Sequence, residues 1–372
     1  MYFPVNGLIR KKRRNSARIG SGRKKLKSGL WKESERMSTR SVKISVVFSK
    51  LKAKKLWKKY SIVKDVWDLW EFRKIFLDIY KYPVRFVVAK RKNKIVGVLP
   101  LWFDKDQNHL EWISGWWAEK SRAFCNEKRV IKKMLDSLVQ KVSLEAMGPE
   151  SKKSFPYRLK RDYDHFGLNM NHVGGTWDGY LESLKSKKRQ TIKWDIRQVE
   201  KLNPKVRYDH VTDLRHLFRL NIDRMNVKSK LYKDEEASVF EKDKRQMKVF
   251  RELWRRRGRA FNTRIISVLV RGKVVSCDLN LVYKDRYYTL LGGQDVAKVK
   301  GIGTYANMLD INDSIEQGCS YVDFCMEDHH WKSKWFKGTP RYKWVRKPKT
   351  IKPVVVMKKK HQRRRGVVFE SL

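Results

Sequence analysis

The sequence predicts an α/β (α+β) chain of two lobes, each a mixed, mostly antiparallel twisted sheet flanked by helices. Three observations carry that prediction. Short β-branched runs alternate with helical patterns from 42–48 (VKISVVF) to 321–325 (YVDFC). The length of 372 residues is enough for two ordinary domains, each with its own core. A hydrophobic content of 41%, with 14 Trp, 15 Tyr and 16 Phe, belongs to packed structure and not to a disordered chain.

Charge is the anomaly. Lys and Arg number 88 against 39 Asp and Glu, a formal net charge of +49. Such a chain is drawn to polyanions, whether RNA, DNA or an anionic membrane surface. The basic residues are spread over the whole length, so a general basic bias of the source proteome explains them equally well. Four cysteines (Cys125, Cys277, Cys319, Cys325) show no C-x-x-C spacing. They read as buried thiols in a reducing compartment, with neither zinc nor a disulfide framework. No apolar run reaches the roughly 18–20 residues of a membrane span. The N-terminus has no apolar segment of the kind that marks a secretory signal. The expectation is a cytoplasmic protein, with peripheral contact at the inner face of the membrane as the variant reading.

Residues 1–39 form a basic arm in which Arg10–Arg14 and Arg23–Lys25 repel each other, so disorder is expected there, and Met37 is an alternative start. The first lobe is placed at 40–150. It holds the first strand, helical patterns around Leu56, Trp57, Leu69, Trp70 and Phe76, a hairpin turning near Asn93, and a strand at 110–113. Val130, Ile131, Met134, Leu135, Leu138 and Val142 recur at helical spacing. Residues 151–175 read as a junction, flanked and broken by Gly148-Pro149, Phe155-Pro156 and Gly174-Gly175. The second lobe is placed at 176–346. It opens with one long basic helical stretch, 177–202, continues through helices at 214–224 and 241–257 with a polar loop at 228–237 between them, and reaches a three-stranded meander at 263–291. A basic tail, 347–372, follows.

The chemistry concentrates in 290–335. A strand runs into Gly292-Gly293-Gln294, then into the loop Lys298-Val299-Lys300-Gly301-Ile302-Gly303, and a helix begins at Thr304. Strand, glycine loop and helix present backbone amides and a helix N-terminus to a phosphate. Taken alone, K-x-x-G-x-G is better read as an ordinary strand-to-helix turn with surface lysines.

The segment resembles the GNAT superfamily of acyl-CoA N-acyltransferases, whose cofactor loop reads Gln/Arg-x-x-Gly-x-Gly/Ala at a helix start; here Lys298 stands at the Gln/Arg position. The run Asp323-Phe324 through Trp331-Lys332 to Trp335 is similar to the D-F-x-x-G-x-x-x-Y-K-x-x-F/W signature of the double-GNAT branch, with Glu327 at the glycine position. That branch includes CelD-type acetyltransferases of polysaccharide biosynthesis and is related to Fem-type peptidyl transferases. The resemblance implies tandem GNAT-like lobes. It also implies acetyl-CoA or another acyl-CoA as co-substrate, held by Lys298, Lys300, Gly301, Ile302, Gly303 and Thr304, and a small-molecule amine acceptor. Acyl transfer by direct attack needs no metal and no covalent intermediate. Asp323 or Asp328 is expected as general base, with Glu327 in reserve and Lys332 orienting the acceptor or stabilising charge. Lys188, Arg189 and Trp331 are candidate substrate contacts. A buried structural carboxylate paired with a lysine would explain Asp323 nearly as well, and a solvated basic face would explain Lys188 and Arg189. His329 and His330 lack metal spacing and are expected at the surface, and Cys325 has no assignable partner as a nucleophile. Two rival functions remain at this stage: a Fem-type transferase using aminoacyl-tRNA, and a non-catalytic basic protein that binds nucleic acid.

Overall fold

In the computed structural model, which describes residues 42–231 and 238–349, strand β1 (Val42–Val47) lies antiparallel to β2 (Val84–Arg91). The N-terminal arm, the distal part of the 228–237 loop and most of the basic tail lie outside the described residues. β2 turns back on β3 (Lys94–Asp104) through Lys92 and Asn93, both at positive φ, the two-residue turn whose twist matches its flanking strands. β4 (His109–Trp112) extends this sheet antiparallel to β3. The helix Lys128–Asp136 then crosses over to β5 (Val142–Met147), which lies parallel to β4.

The second lobe repeats this order. β7 (Lys205–Tyr208) is followed by helices, including Asp213–Leu231 and Arg245–Arg255. The antiparallel meander β8 (Asn262–Val270), β9 (Lys273–Tyr283) and β10 (Arg286–Gln294) comes next, and the helix Ile302–Glu316 crosses to β11 (Tyr321–Met326), parallel to β10. Two further strands weld the lobes. β6 (Lys160–Asn169) pairs with β11, and β12 (Gly338–Arg346) lies between β5 and β6. The result is one twelve-stranded sheet ordered β1-β2-β3-β4-β5-β12-β6-β11-β10-β9-β8-β7. One buried cluster is shared by both lobes, with Trp57, Trp67, Phe72 and Phe86 of the first against Leu217, Phe250, Trp254 and Tyr288 of the second. Burial of these large side chains from both lobes in one cluster stabilises the lobe–lobe arrangement itself.

Three local expectations are corrected. Val142 belongs to β5, not to the preceding helix, which ends at Asp136. The junction contains β6, a strand in the interior of the sheet. The long helix at 177–202 is two helices, Trp177–Ser183 and Ser186–Glu200, because Leu184 and Lys185 adopt extended ψ (151° and 140°) and Leu184 turns toward the core under them. Among the described residues no helix is long and apolar enough to cross a membrane.

Candidate active site

β10 and β11 start as a parallel pair, with Arg286, Tyr287 and Tyr288 opposite Tyr321, Val322 and Asp323, and pair no further. Both strands carry a reason to part. On β10 the register against β9 shifts between Thr289 and Leu291, leaving Leu290 as the extra residue of a bulge. On β11 the register against β6 shifts between Asp323 and Met326, where Cys325 stands at φ 64°. Glu327, at the position where the family signature has glycine, also adopts φ 64°. A left-handed residue there explains why glycine suits the position.

Between the diverging ends lies a cavity of about 600 Å³. One wall is β10 from Thr289 to Gln294, the opposite wall Phe324 to Glu327. Gly293 lets the helix Asp213–Leu231 pass directly over β10, while Gly292 leaves room for the side chain of Asp278. A Cβ at Gly293 would stand 2.7 Å from Asn221 N and Leu217 O, and Asn221 Nδ2 donates to Gly292 O at 2.8 Å.

The first turn of helix Ile302–Glu316 closes one end of the cavity, with Gly301, Gly303 and Thr304 on its wall. First-turn amides lack partners within the helix and favour anions. Gly301 is obligatory in this turn: its φ is 85°, and a Cβ would meet Asp195 O at 2.4 Å. Gly303 faces open space. Thr304 Oγ1 donates to Asp195 Oδ2 at 2.7 Å. Ile302 is fully buried in the core beneath. The two lysines point elsewhere: Lys298 pairs with Asp295 at 3.0 Å, and Lys300 lies over the Trp194 ring at 4.7 Å. Two further carboxyls, Asp278 and Asp310, also line the cavity. Burial pushes Asp278 up to about 7 against the opposing charge of Arg224, and pushes Asp310 well above the carboxylate range, Asp278 adding to it. Both shifts favour the protonated forms, which repel an anion less than two carboxylates would.

Five groups meet at the other end: Glu119, Lys332, Glu327, His329 and Trp331. Glu119 comes from the first lobe, in the turn after β4. Its carboxylate accepts the Met326 amide, while Lys332 Nζ donates to Met326 O at 2.6 Å. Both side chains are buried. Burial raises Glu119 to about 8 despite the nearby Lys332 charge, and burial lowers Lys332 against Cys325 and Glu119. A carboxyl raised and an amine lowered by burial in one site, each feeling the other's charge, are shifted in the directions that acid–base groups of active sites show.

Asp323 lies off the cavity wall. It is buried, 2.8 Å from His165 Nε2, and accepts the Cys325 amide at 2.9 Å. Burial alone would raise it; the imidazole and the amide outweigh burial and hold it below the ordinary range. Asp328 accepts from Ser333 N (2.7 Å) and Ser333 Oγ (2.6 Å), ordering the short helix Lys332–Trp335. Lys188 lies over the ring of Trp335, which lines the cavity, at 5.2 Å, and Arg189 is half-buried on the same helix. The histidines are not at the surface as expected. Both are half-buried on the cavity wall, because positive φ at His329 and His330 folds the segment inward. Burial, then the Lys332 charge, lowers His329 to about 3. Cys325 reaches the wall too, but burial raises its thiol well above the ordinary value, so it is no thiolate nucleophile.

Residues 186–333 match the family described as an acetyltransferase (GNAT) domain. The second lobe carries a GNAT acetyltransferase domain. Among solved structures, a conserved protein of unknown function from Bacteroides thetaiotaomicron VPI-5482 is similar at 13% identity and TM-score 0.52, over 82% of this chain and 100% of that one. FemX is similar at 9% identity and TM-score 0.50, over 81% and 97%. A tandem GNAT protein from the clavulanic acid biosynthesis pathway gives 7% identity and TM-score 0.46, over 82% and 98%. Comparison with curated proteins finds no match. The chain is thus an acyltransferase of GNAT type, on a mixed sheet flanked by helices.

Glu119 is the residue that sequence reasoning missed. It lies about two hundred positions before β11, in a tryptophan-rich turn that carries no motif.

Proposed function

We propose that the chain transfers an acyl group, acetyl in the simplest case, from acyl-CoA to an amine of a sugar, amino-acid or cell-envelope precursor. The parting of β10 and β11 around a cavity capped by a helix N-terminus is the observation that carries this reading. The diphosphate of the donor would rest on the first-turn amides of Gly303 and Thr304, with pantetheine along Leu290 to Gln294. The bulge at Leu290 interrupts the ladder there, and a backbone amide released by it would polarise the thioester carbonyl.

In the reaction, the amine nitrogen bonds to the thioester carbon, the amine proton passes to the Glu119 carboxylate, and the C–S bond breaks. The leaving thiolate takes a proton from the ammonium of Lys332, and the net proton count is restored when Glu119 returns its proton to Lys332. Asp323 and Asp328 then serve as positioning residues, the first shaping the β11 bulge and the second holding Lys332's short helix. Trp331 and Trp335, the latter backed by Lys188, would pack against the acceptor, with Arg189 beside them on the basic helix. Residues 40–150 and 176–346 remain the working lobe boundaries, with β6 and β12 shared between them. A cytoplasmic location fits a CoA-dependent reaction.

Calorimetry with acetyl-CoA tests the donor site. Gly301 is a poor probe, since any side chain there strikes the Asp195 backbone. Gly303→Glu puts a carboxylate into open space at the proposed diphosphate position without a clash. It should abolish saturable binding while leaving the melting temperature intact; wild-type affinity in that variant removes the donor site from this loop. One second reading has support, since the fold matches FemX over 97% of that chain. In it the same aminolysis acts on an aminoacyl ester of tRNA. Binding of aminoacyl-tRNA that is insensitive to Gly303→Glu, with no response to acetyl-CoA, would select it.

A further inference from the structure

At the far end of the first lobe, the β3–β4 hairpin collects three ligand-type side chains on one face. His109 and Glu111 are two apart on β4 and so point the same way, and Asp104 stands directly opposite His109 in the ladder. One donor atom from each of the three lies within 4.8 Å of the others.

The second observation concerns His109 itself. Its ring is buried, with 8% of the residue exposed, and neither ring nitrogen has a hydrogen-bond partner. Nε2 stops 3.5 Å from Glu111 Oε2, beyond good hydrogen-bond geometry. A buried imidazole left unsatisfied destabilises the fold unless something else occupies its nitrogens. The separation has another meaning. Two ligands of a tetrahedral ion with bonds near 2.1 Å stand about 3.4 Å apart.

The carboxylates are also held by groups behind them. Trp102 Nε1 donates to Glu111 Oε1 at 2.7 Å, and the amides of Asp106 and Gln107 donate to Asp104 Oδ1 at 2.8 and 2.9 Å. In each case one oxygen is fixed by donors that anchor the group, the arrangement that orients ligands in metal centres. Gly115 closes the far side: a Cβ there would lie 3.0 Å from both Glu111 oxygens.

We propose that Asp104, His109 and Glu111 bind a divalent transition-metal ion of the zinc class. One imidazole and two carboxylates suit Zn²⁺, with Mn²⁺ weaker by the usual order of affinities, and water completes the coordination. The ion would be structural, stapling the end of the hairpin from which the chain runs on through Gly115 to Glu119. Lys141, whose charge acts on His109, opposes the ion. The proposal does not depend on the identity of the acyl donor.

The test uses the full chain, stripped with chelator and titrated with Zn²⁺ against a chromophoric competitor. Wild type should take one equivalent and melt at a higher temperature with the ion. Asp104→Asn keeps the cap on the turn amides and should fold, yet lower zinc affinity at least tenfold; Glu111→Gln should do the same. Cobalt in place of zinc should give a visible spectrum of nitrogen and oxygen donors without sulfur. Three results overturn the site: no bound equivalent in wild type, unchanged affinity in both variants (the ion then lies elsewhere), or a sulfur-ligand charge-transfer band.

Discussion

Replacing Glu119 with glutamine separates chemistry from packing at the acceptor end. Glutamine keeps the carbonyl oxygen that accepts the Met326 amide but cannot take a proton from the amine. Loss of a general base costs typically 10²–10⁴-fold, or about 3–5 kcal/mol of transition-state stabilisation. The pH profile adds a sharper readout. With Glu119 at about 8, about one-tenth of it is ionised at pH 7 and about nine-tenths at pH 9, so the wild-type kcat/KM should climb roughly tenfold across that interval. Stability runs the opposite way. A carboxyl whose folded value lies above its unfolded one binds its proton more tightly when folded. Its contribution is fully present below about 4.5 and is lost as pH rises to about 8, a difference of roughly 5 kcal/mol at most. Glutamine removes that penalty, offset by the lost counter-charge for Lys332. Glu119→Gln should therefore be at least a hundredfold slower, flat between pH 7 and 9, and no less heat-stable than wild type at pH 8.5. Steady-state kinetics with a thiol-detecting assay and calorimetric melting measure both sides. A variant within threefold of wild-type kcat/KM, or one that keeps the rise through pH 8, would refute the assignment.

Three other outcomes are expected. Lys332→Met should lower kcat and move the midpoint of the surviving pH profile above 8, because the ammonium that favours the Glu119 carboxylate is gone; an unmoved midpoint would separate the two residues. Asp323→Asn should cost about 2 kcal/mol in urea denaturation at pH 7 by weakening the bond that the buried carboxylate accepts from the Cys325 amide and losing its charge beside His165. Its folded value is depressed, so that stabilisation is present above the ordinary carboxylate range and disappears as pH falls through the folded value; equal stability of wild type and variant at pH 7 would contradict it. Gly293→Ala should destabilise by about 1–3 kcal/mol through collision with the backbone of Asn221 and Leu217, while Gly303→Ala, facing open space, should not; equal melting temperatures would show that the helix over β10 can shift.

The second lobe was the more legible half because its signals are local. The β8–β9–β10 meander, the glycine loop and the following helix each declare themselves within a dozen residues, through alternation, Gly301 and apolar spacing. β5 and β6 were lost for opposite reasons. Val142 falls four positions after Leu138, so a short strand buried beside a parallel neighbour continued the helical count. β6, KRDYDHFGLN, is too polar to look internal, and only its pairing with β11 and β12 makes it so. The break at Leu184 carries no glycine or proline, since tertiary burial of that leucine decides it. The site divides in the same way. Gly301, Gly303, Thr304, Trp331 and Lys332 stood out from motif spacing and all reach the cavity. Glu119, Asp278 and Asp310 acquire their meaning from burial, which no spacing encodes. Asp104, His109 and Glu111 become neighbours only when a hairpin pairs them.

The two lobes share one plan, and among the described residues they treat the matching place differently. In the first lobe β4 and β5 also form a parallel pair that parts at once, matched only at Leu110 and Val142. Its opening is filled. Ser121 bridges to Met147 beside β5, and the buried guanidinium of Arg73 donates to Trp67 O, Ile113 O and Lys120 O, tying down both ends of the turn after β4. The segment that seals this cleft, from Ile113 to Arg122, is the same one that carries Glu119 across to β11. Arg73 therefore couples the lobes: by clamping both ends of that turn it fixes where the carboxylate emerges. A chain with two equivalent clefts would have to leave this segment free in each. Closing one of them supplies a rigid arm for the other.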